Sequence, residues 1–503
     1  MQTKRLRFFF VLLCAVTVAA GFWLFNPWQL YFLNDDLIHI PLSKDGVLFQ
    51  RQSFRPFADL SIRLDYLLYA KNATGYDVTN LLIHVINCIL VYFVSLTVYQ
   101  RYFAARHAAI EAFATAVLFF IYATHSESIF WILGRSGSLA SMFFMSAMLF
   151  YMQRHRSIFK YFLAILFMVA GLLVYESVWI FPVVAMLLSV LDNRRFQTSI
   201  KREATFVAGL FFTFALYLAA RYSIIHQVAA HYEAAAFLAF DFKALATNGL
   251  KLALRSFVPP FTESLHFLVA CGVFILVALF SLVHLKRQNR SVKEGLPFLV
   301  LVSLWFISLT PYLSLGIDTH GYEGERYLYL PTVFCSMLIV RFLSATARHT
   351  PGKLIIFSII LGYHIYFLYQ STVAYRIASS ISWTTFQQIN LLDNKINLFI
   401  DSLPQSYKGA LIFRLGFQEG VQWLKDEGKV ENVHVLSLKV NNQNWHQNYS
   451  VRHAAVDTLQ NKKRQDNINH SLKPLDTNNH VPQINPATEV HFTFRDQWLQ
   501  VAP

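Results

Sequence analysis

FFFVLLCAVTVAAGFWLFNPWQLYFLNDD, residues 8–36, joins an apolar run to an acidic pair, Asp35 and Asp36. A bilayer core of about 30 Å needs roughly 20 apolar residues in helical form. Residues 7–28 therefore read as a membrane span, and the two carboxylates fall just beyond it. Charge placed at that level suits a carboxylate working at a membrane surface, because a transporter more naturally buries its charges in mid-span.

The rest of the chain repeats the first pattern. Of 503 residues, 55% are hydrophobic, 16% aromatic and only 14% charged, and the mean hydropathy is +0.40, which leaves too little polar surface for a soluble protein. Further apolar runs at 79–98, 109–124, 129–152, 158–174, 177–191, 205–225, 264–285, 296–315, 327–344 and 353–373 bring the expectation to about eleven spans. Lys4, Arg5 and Arg7 precede the first span, and further Lys and Arg clusters fall on every second loop, so those loops are cytoplasmic. The first run reads as an uncleaved anchor, since it lacks a small-residue cleavage site with a polar sequel. The formal charge of +14 is largely this cytoplasmic Lys and Arg, which argues against nucleic acid as a partner. Cys14, Cys88, Cys271 and Cys335 all lie in or near spans and form no CxxC pair.

Hydropathy divides the chain into a membrane domain, 1–373, and an extracytoplasmic C-terminal domain, 374–503. The second part reads as mixed α/β, with a helix near 416–427, strands near 433–440 and 489–495, and a loose polar stretch at 461–479. Two outer segments, 53–70 and 237–257, are apolar but broken by Arg55, Asp59, Arg63 and Asp65 in the first and by Asp241, Asn248, Lys251 and Arg255 in the second. Both read as helices lying in the membrane interface.

The outer loops gather most of the unusual residues. Neighbouring carboxylates point different ways in helix or strand, so one of Asp35 and Asp36 aims at a substrate while the other holds a donor or a metal, and the reading sets Asp36 first. A solvated helix cap is the bland alternative. In THSESIFWILGRSGSL, residues 124–139, His125 and Glu127 mark an outer turn, and Arg135 sits inside the next helix, where a cation needs an anion. Glu127, Glu176, an Asp of the pair or a ligand phosphate would serve. The loop 314–326 adds Asp318, His320, Glu323, Glu325 and Arg326. His125, Glu127, Glu176, His320 and Glu323 are ligand types that suit a divalent cation, although no fixed motif such as HExxH is present. Carboxylates and guanidinium groups gathered at one depth could bind an anionic headgroup and deprotonate a hydroxyl.

NDD, SFRPFADLSIRLDYLLY, GYDVTNLLIHVINCILVY, THSESIFWILGRSGSLASMFF, YES and GERYLYLP, in this order over residues 25–345, resemble the GT-C polytopic glycosyltransferases. The likeness is strongest to the membrane region of the transmembrane and tetratricopeptide-repeat O-mannosyltransferases and their bacterial relatives. The chain departs from them at Ser126 and Ser138, at Tyr175 where relatives carry Lys before the glutamate, and in lacking tetratricopeptide repeats.

The resemblance implies a GT-C membrane fold and a polyprenyl-phosphate-linked sugar as donor, mannose or another hexose. The acceptor would be a hydroxyl, a protein Ser/Thr or alternatively a lipid or glycan. Asp35 or Asp36 would act as general base with inversion. Arg135 and Arg326, then Arg55 and His125, would meet the donor phosphate, and Glu127, Glu176 and Glu325 would hold those cations. No cofactor is implied beyond a divalent cation in a supporting role. The competing reading, a transporter or flippase, predicts mid-bilayer charges, discontinuous helices and an internal repeat. The active face would be periplasmic in a bacterial inner membrane, which the missing repeats favour, or lumenal in the endoplasmic reticulum. Sequons at Asn72, Asn448 and Asn469 do not decide between them.

Overall fold

The computed structural model describes residues 2–44, 54–103, 105–153, 157–196, 200–226, 241–261, 263–272, 275, 292–346, 350–390, 396–400, 403–425, 430–435, 438–439, 489–495 and 498–501. Among them, eight helices are long and apolar enough to cross a membrane, and two short helices bent by 53° at a break make a ninth if counted as one span. The chain is thus an integral membrane protein, with fewer qualifying spans than the eleven expected. Helix is present at ten of the eleven expected positions, but Ile158–Leu172 is short. The remaining position, 264–285, lies mostly outside the described residues.

The bundle is built from α1 (Gln2–Phe25), α2 (Asp36–Lys44), α3 (Pro56–Tyr69), α4 (Ala73–Arg101), α5 (Ala108–Phe120), α6 (Ser126–Phe130), α7 (Arg135–Met152), α8 (Ile158–Leu172), α9 (Phe181–Phe196) and α10 (Ile200–Ile225). It continues with α11 (Phe242–Arg255), α12 (Val292–Leu309), α13 (Tyr329–Thr346) and α14 (Thr350–Asn390). α4 packs between α5 and α7, and α7 packs on α8. The segments 53–70 and 237–257 hold helices α3 and α11. Leu64, Leu67 and Leu68 of α3 are exposed, the pattern of a helix laid in an interface.

The break between α5 and α6 is supported by polar residues of α4. Asn80, His84 and Asn87 recur at spacings of four and three, so they share one helix face. Asn80 Nδ2 donates to the carbonyls of Ile129 at 3.3 Å and Trp131 at 3.1 Å. His84 Nε2 meets the Phe120 carbonyl at 3.0 Å, and its Nδ1 meets the Tyr329 hydroxyl at 2.6 Å. Asn87 Nδ2 donates to the Ser138 carbonyl at 2.8 Å and to the same hydroxyl at 3.1 Å. Irregular backbone at membrane depth is tolerated only where protein groups satisfy it, and this stripe supplies them.

α14 runs unbroken through residue 373 to Asn390. Beyond it, β1 (Ile396–Ile400) lies between β5 (Val430–Val435) and β7 (Glu489–Arg495), parallel to both, and β8 (Trp498–Val501) pairs antiparallel with β7. The pairs β2 (Leu403–Pro404) with β6 (Leu438–Lys439) and β3 (Ser406–Tyr407) with β4 (Ala410–Leu411) are short, and α15 covers Phe417–Leu424. The stretch 461–479 and two sequons, Asn448 and Asn469, lie outside the described residues.

This C-terminal part is latched to the membrane part. The Asn34 N–H donates to the Ile412 carbonyl at 2.7 Å, and Asn34 Oδ1 accepts from the Leu415 N–H at 2.9 Å. Asn34 has φ +48°, a conformation that Asn tolerates better than most residues. Gly416 has φ +80°, and a Cβ there would stand 2.7 Å from the Asn34 carbonyl oxygen, so this contact requires glycine.

Candidate active site

The acidic pair divides between two environments. Asp36 is fully buried at the first turn of α2. Its Oδ2 accepts from the Leu33 N–H at 3.0 Å and its Oδ1 from the Leu133 N–H at 3.1 Å, so it ties the end of the first span to the 132–134 turn. Burial pushes its carboxyl up to about 8, against the two amides; Asp35 adds to the rise and Arg135 opposes it. Asp35 is only partly buried, and its Oδ1 accepts from Asn34 Nδ2 at 2.7 Å.

Asp35 also belongs to the field of a guanidinium from the C-terminal part. Arg414 Nη1 lies 2.8 Å from Glu323 Oε1, with the Arg414 side chain 32% exposed. Burial works against its charge, yet Glu323, then Asp35, hold it above the usual arginine range, and Arg326 opposes them. Asp35, Glu323, Arg326 and Arg414 are therefore electrostatic neighbours drawn from three distant stretches.

Arg326 is the sequence-expected cation best placed to meet a ligand. Glu127 accepts from its backbone N–H at 2.9 Å and is bonded to its guanidinium. The guanidinium lies over the Trp131 and Tyr327 rings, and the side chain keeps 21% exposure. Aromatic walls and a fixed carboxylate leave a planar donor oriented with part of its edge open.

Arg55 and Glu176 are also brought together. Glu176 takes Arg55 at 2.7 Å on one oxygen and Arg221 at 3.2 Å on the other. Two guanidinium groups on one carboxylate leave the triad with a surplus positive charge. Arg221 is fully buried, and its Nε and Nη2 have no hydrogen-bond partner among the described residues. Tyr175 lies under Arg55 with its ring centroid 4.2 Å from the guanidinium carbon.

Other expected roles are redirected. Arg135 finds its anion in Asp65 at 2.5 Å, not in Glu127, Glu176 or the Asp pair, and it also donates to the carbonyls of Tyr76 at 3.1 Å and Ile132 at 3.3 Å. With 1% exposure it is an internal cation, because burial demands this full set of partners. His125 is fully buried, bonded to Thr332 at 2.7 Å and enclosed by Phe119, Tyr122 and Tyr329. Glu325 holds neither Arg135 nor Arg326: it pairs with Arg255 at 2.7 Å and accepts from Ser126. His320 bonds to Ser264 at 2.8 Å and lies near Asp318. Among the described residues, no three His, Cys, Asp or Glu side chains are grouped to hold a metal ion, since Glu127, Glu176 and Glu323 each face a guanidinium.

Sequence reasoning placed Asp65 and Arg255 on interfacial helices without assigning them partners. It passed over Arg221, although a lone Arg near the outer end of an apolar run is itself a signal. Arg414 carried no local signal.

Carboxylates and guanidinium groups thus cluster on a polytopic helical bundle. The chain is similar to Protein O-mannosyl-transferase Tmtc3 of Drosophila melanogaster, 31% identical over 133 residues, covering 24% of this chain and 14% of that protein. It is also similar to Protein O-mannosyl-transferase TMTC3 of Mus musculus, 29% identical over 126 residues, covering 25% of this chain and 12% of that protein. The chain thus spans a small part of the length of the curated relatives it matches. No protein-family model matches. Among solved structures, the chain is similar to the archaeal oligosaccharyltransferase AglB from Archaeoglobus fulgidus in complex with an inhibitory peptide and a dolichol-phosphate, at TM-score 0.48 and 11% identity, over 84% of this chain and 64% of that one. It is likewise similar to ArnT from Cupriavidus metallidurans bound to undecaprenyl phosphate, at TM-score 0.46 and 12% identity, over 82% and 84%. At those scores the likeness is too loose to carry residue correspondence or function.

Proposed function

We propose that this chain is a membrane glycosyltransferase that moves a sugar, mannose or another hexose, from a polyprenyl-phosphate donor to a hydroxyl acceptor on the extracytoplasmic face. The acceptor is a protein Ser or Thr in this reading, with a lipid or glycan hydroxyl as the variant. The observation that carries the proposal is the placement of Asp35, partly exposed at the end of the first span and electrostatically coupled to Arg414 near Arg326. The curated relatives, O-mannosyl-transferases by name, support the same class.

Each group has one task. Asp35 accepts the proton of the incoming hydroxyl as its oxygen attacks the anomeric carbon from the side opposite the phosphate, which inverts the configuration. The bond to the phosphate oxygen breaks, and its electron pair leaves with the phosphate. Arg326, pre-oriented by Glu127, Trp131 and Tyr327, meets the charge that grows there, and Arg55 and Arg221, paired with one Glu176, add positive field. Asp36, its oxygens held by two amides, fixes the loop that aims Asp35.

Transport keeps one observation in its favour, the broken span of α5 and α6. One experiment separates the readings: purified protein in liposomes is given radiolabelled polyprenyl-phosphate sugars and a mixed protein and lipid acceptor pool. Transfer lost in folded Asp35→Asn supports the transferase. Lipid flipping without any transfer, unchanged in Asp35→Asn, would replace it with the transporter.

A further inference from the structure

A cavity of about 490 Å³ lies between the end of the first span and the C-terminal half of α14, with none of Asp35, Glu323, Arg326 and Arg414 in its lining. Its lining includes Trp28, Tyr31, Arg376, Ser379 and Trp383. We propose that this cavity binds the phosphodiester headgroup of an anionic bilayer phospholipid, through Arg376 and Ser379 between the Trp28 and Trp383 rings.

Four observations converge on that ligand. Among the described residues, Arg376 is the single ionisable cation of the lining and no carboxylate lines it, so these groups give the cavity a net positive charge. Arg376 Nε and Ser379 Oγ are buried atoms with no hydrogen-bond partner among the described residues, and Ser379 as a whole is 1% exposed. A buried donor without a partner is destabilising, and an acceptor oxygen from a ligand would satisfy it. Trp28 and Trp383, both in the lining, are 60% and 48% exposed although large and apolar, and Trp28 lies where the first span ends. Trp at that level is the usual marker of the headgroup zone.

Chain geometry selects a bilayer lipid over the lipid-linked donor of the reaction. Toward its N-terminal end α14 exposes Ile355, Ile359 and Tyr366, apolar side chains that acyl chains can cover. Asp35, Arg326 and Arg414 do not line the cavity, so a donor phosphate seated here would hold its sugar away from the reacting groups. Ser382 Oγ, one turn beyond Ser379, donates to the Phe32 carbonyl at 2.7 Å. A lipid seated here would thus buttress the loop that carries Asp35.

The test is native mass spectrometry of the full chain released from nanodiscs of phosphatidylcholine with phosphatidylglycerol, comparing wild type, Arg376→Gln, Arg376→Lys and Trp383→Leu. Retention of phosphatidylglycerol by wild type, about tenfold weaker in Arg376→Gln and partly restored in Arg376→Lys, is expected. Unchanged retention in Arg376→Gln and Trp383→Leu proteins that elute as folded monodisperse species would overturn the assignment. So would displacement of the retained phospholipid by stoichiometric polyprenyl phosphate, which would give the cavity to the donor. Because the readout is binding, failure here leaves the transferase proposal standing, and loss of transfer activity leaves this one standing.

Discussion

Glu127 holds Arg326 at two points, accepting from its backbone N–H at 2.9 Å and from its guanidinium, although 199 positions separate them in sequence. One carboxylate thereby fixes both where the 325–328 turn sits and how its cation is aimed. Removing its charge should loosen the aim before it loosens the fold. Glu127→Gln is expected to raise the donor KM by about 10- to 100-fold, the size of one charge-assisted hydrogen bond, with folded yield kept; a KM equal to wild type would refute this.

Asp35→Asn removes a base while preserving shape. Turnover should fall by on the order of 10²–10⁴, with donor binding by the folded protein unchanged. Retained turnover would move the base elsewhere.

Asp36 predicts a pH effect of known sign. Its folded carboxyl stands at about 8 against an ordinary value of 3.8, so the folded state keeps a proton that the unfolded chain releases in that window. The stabilisation is fully present below 3.8 and is lost as pH rises through about 8. Thermal unfolding midpoints in detergent should fall from pH 5 to pH 8 in wild type, and less steeply in Asp36→Asn. Parallel slopes for the two proteins would contradict the assignment.

Arg135 and Asp65 form a buried pair, and breaking one side strands the other charge. Either Arg135→Gln or Asp65→Asn should cost about 3–5 kcal/mol, whereas the double substitution should cost less than the two added together. The check is a double-mutant cycle of unfolding midpoints. Loss of donor binding without loss of stability would instead return Arg135 to the phosphate.

Much of the fold was legible because hydropathy acts locally. The runs at 79–98, 205–225 and 327–344 each emerge as helix, and the apolar but charge-broken segments 53–70 and 237–257 carry α3 and α11. An outer turn was expected at His125 and Glu127, and the helix breaks a few residues earlier, after Phe120, with Glu127 itself inside α6. Support for the break comes from Asn80, His84 and Asn87 on α4, whose partners are carbonyls 36 to 51 positions away. The candidate site was legible in its residue types but not in its pairings. Arg135 was expected to meet Glu127, Glu176, an Asp of the pair or a ligand phosphate, and it meets Asp65; Glu325 was expected to help hold Arg135 and Arg326 and instead holds Arg255.

The sequence by itself determined that this is a membrane bundle, because the cost of burying charge in hydrocarbon acts on each segment separately. Tertiary structure alone decided which carboxylate meets which guanidinium, and so which groups keep an open edge. Ion pairs fall off over a few ångströms, and their partners here come from stretches 45 to 199 residues apart. Asp35 and Asp36 show the difference most plainly: alike and adjacent in sequence, they are separated in environment by the amides of Leu33 and Leu133.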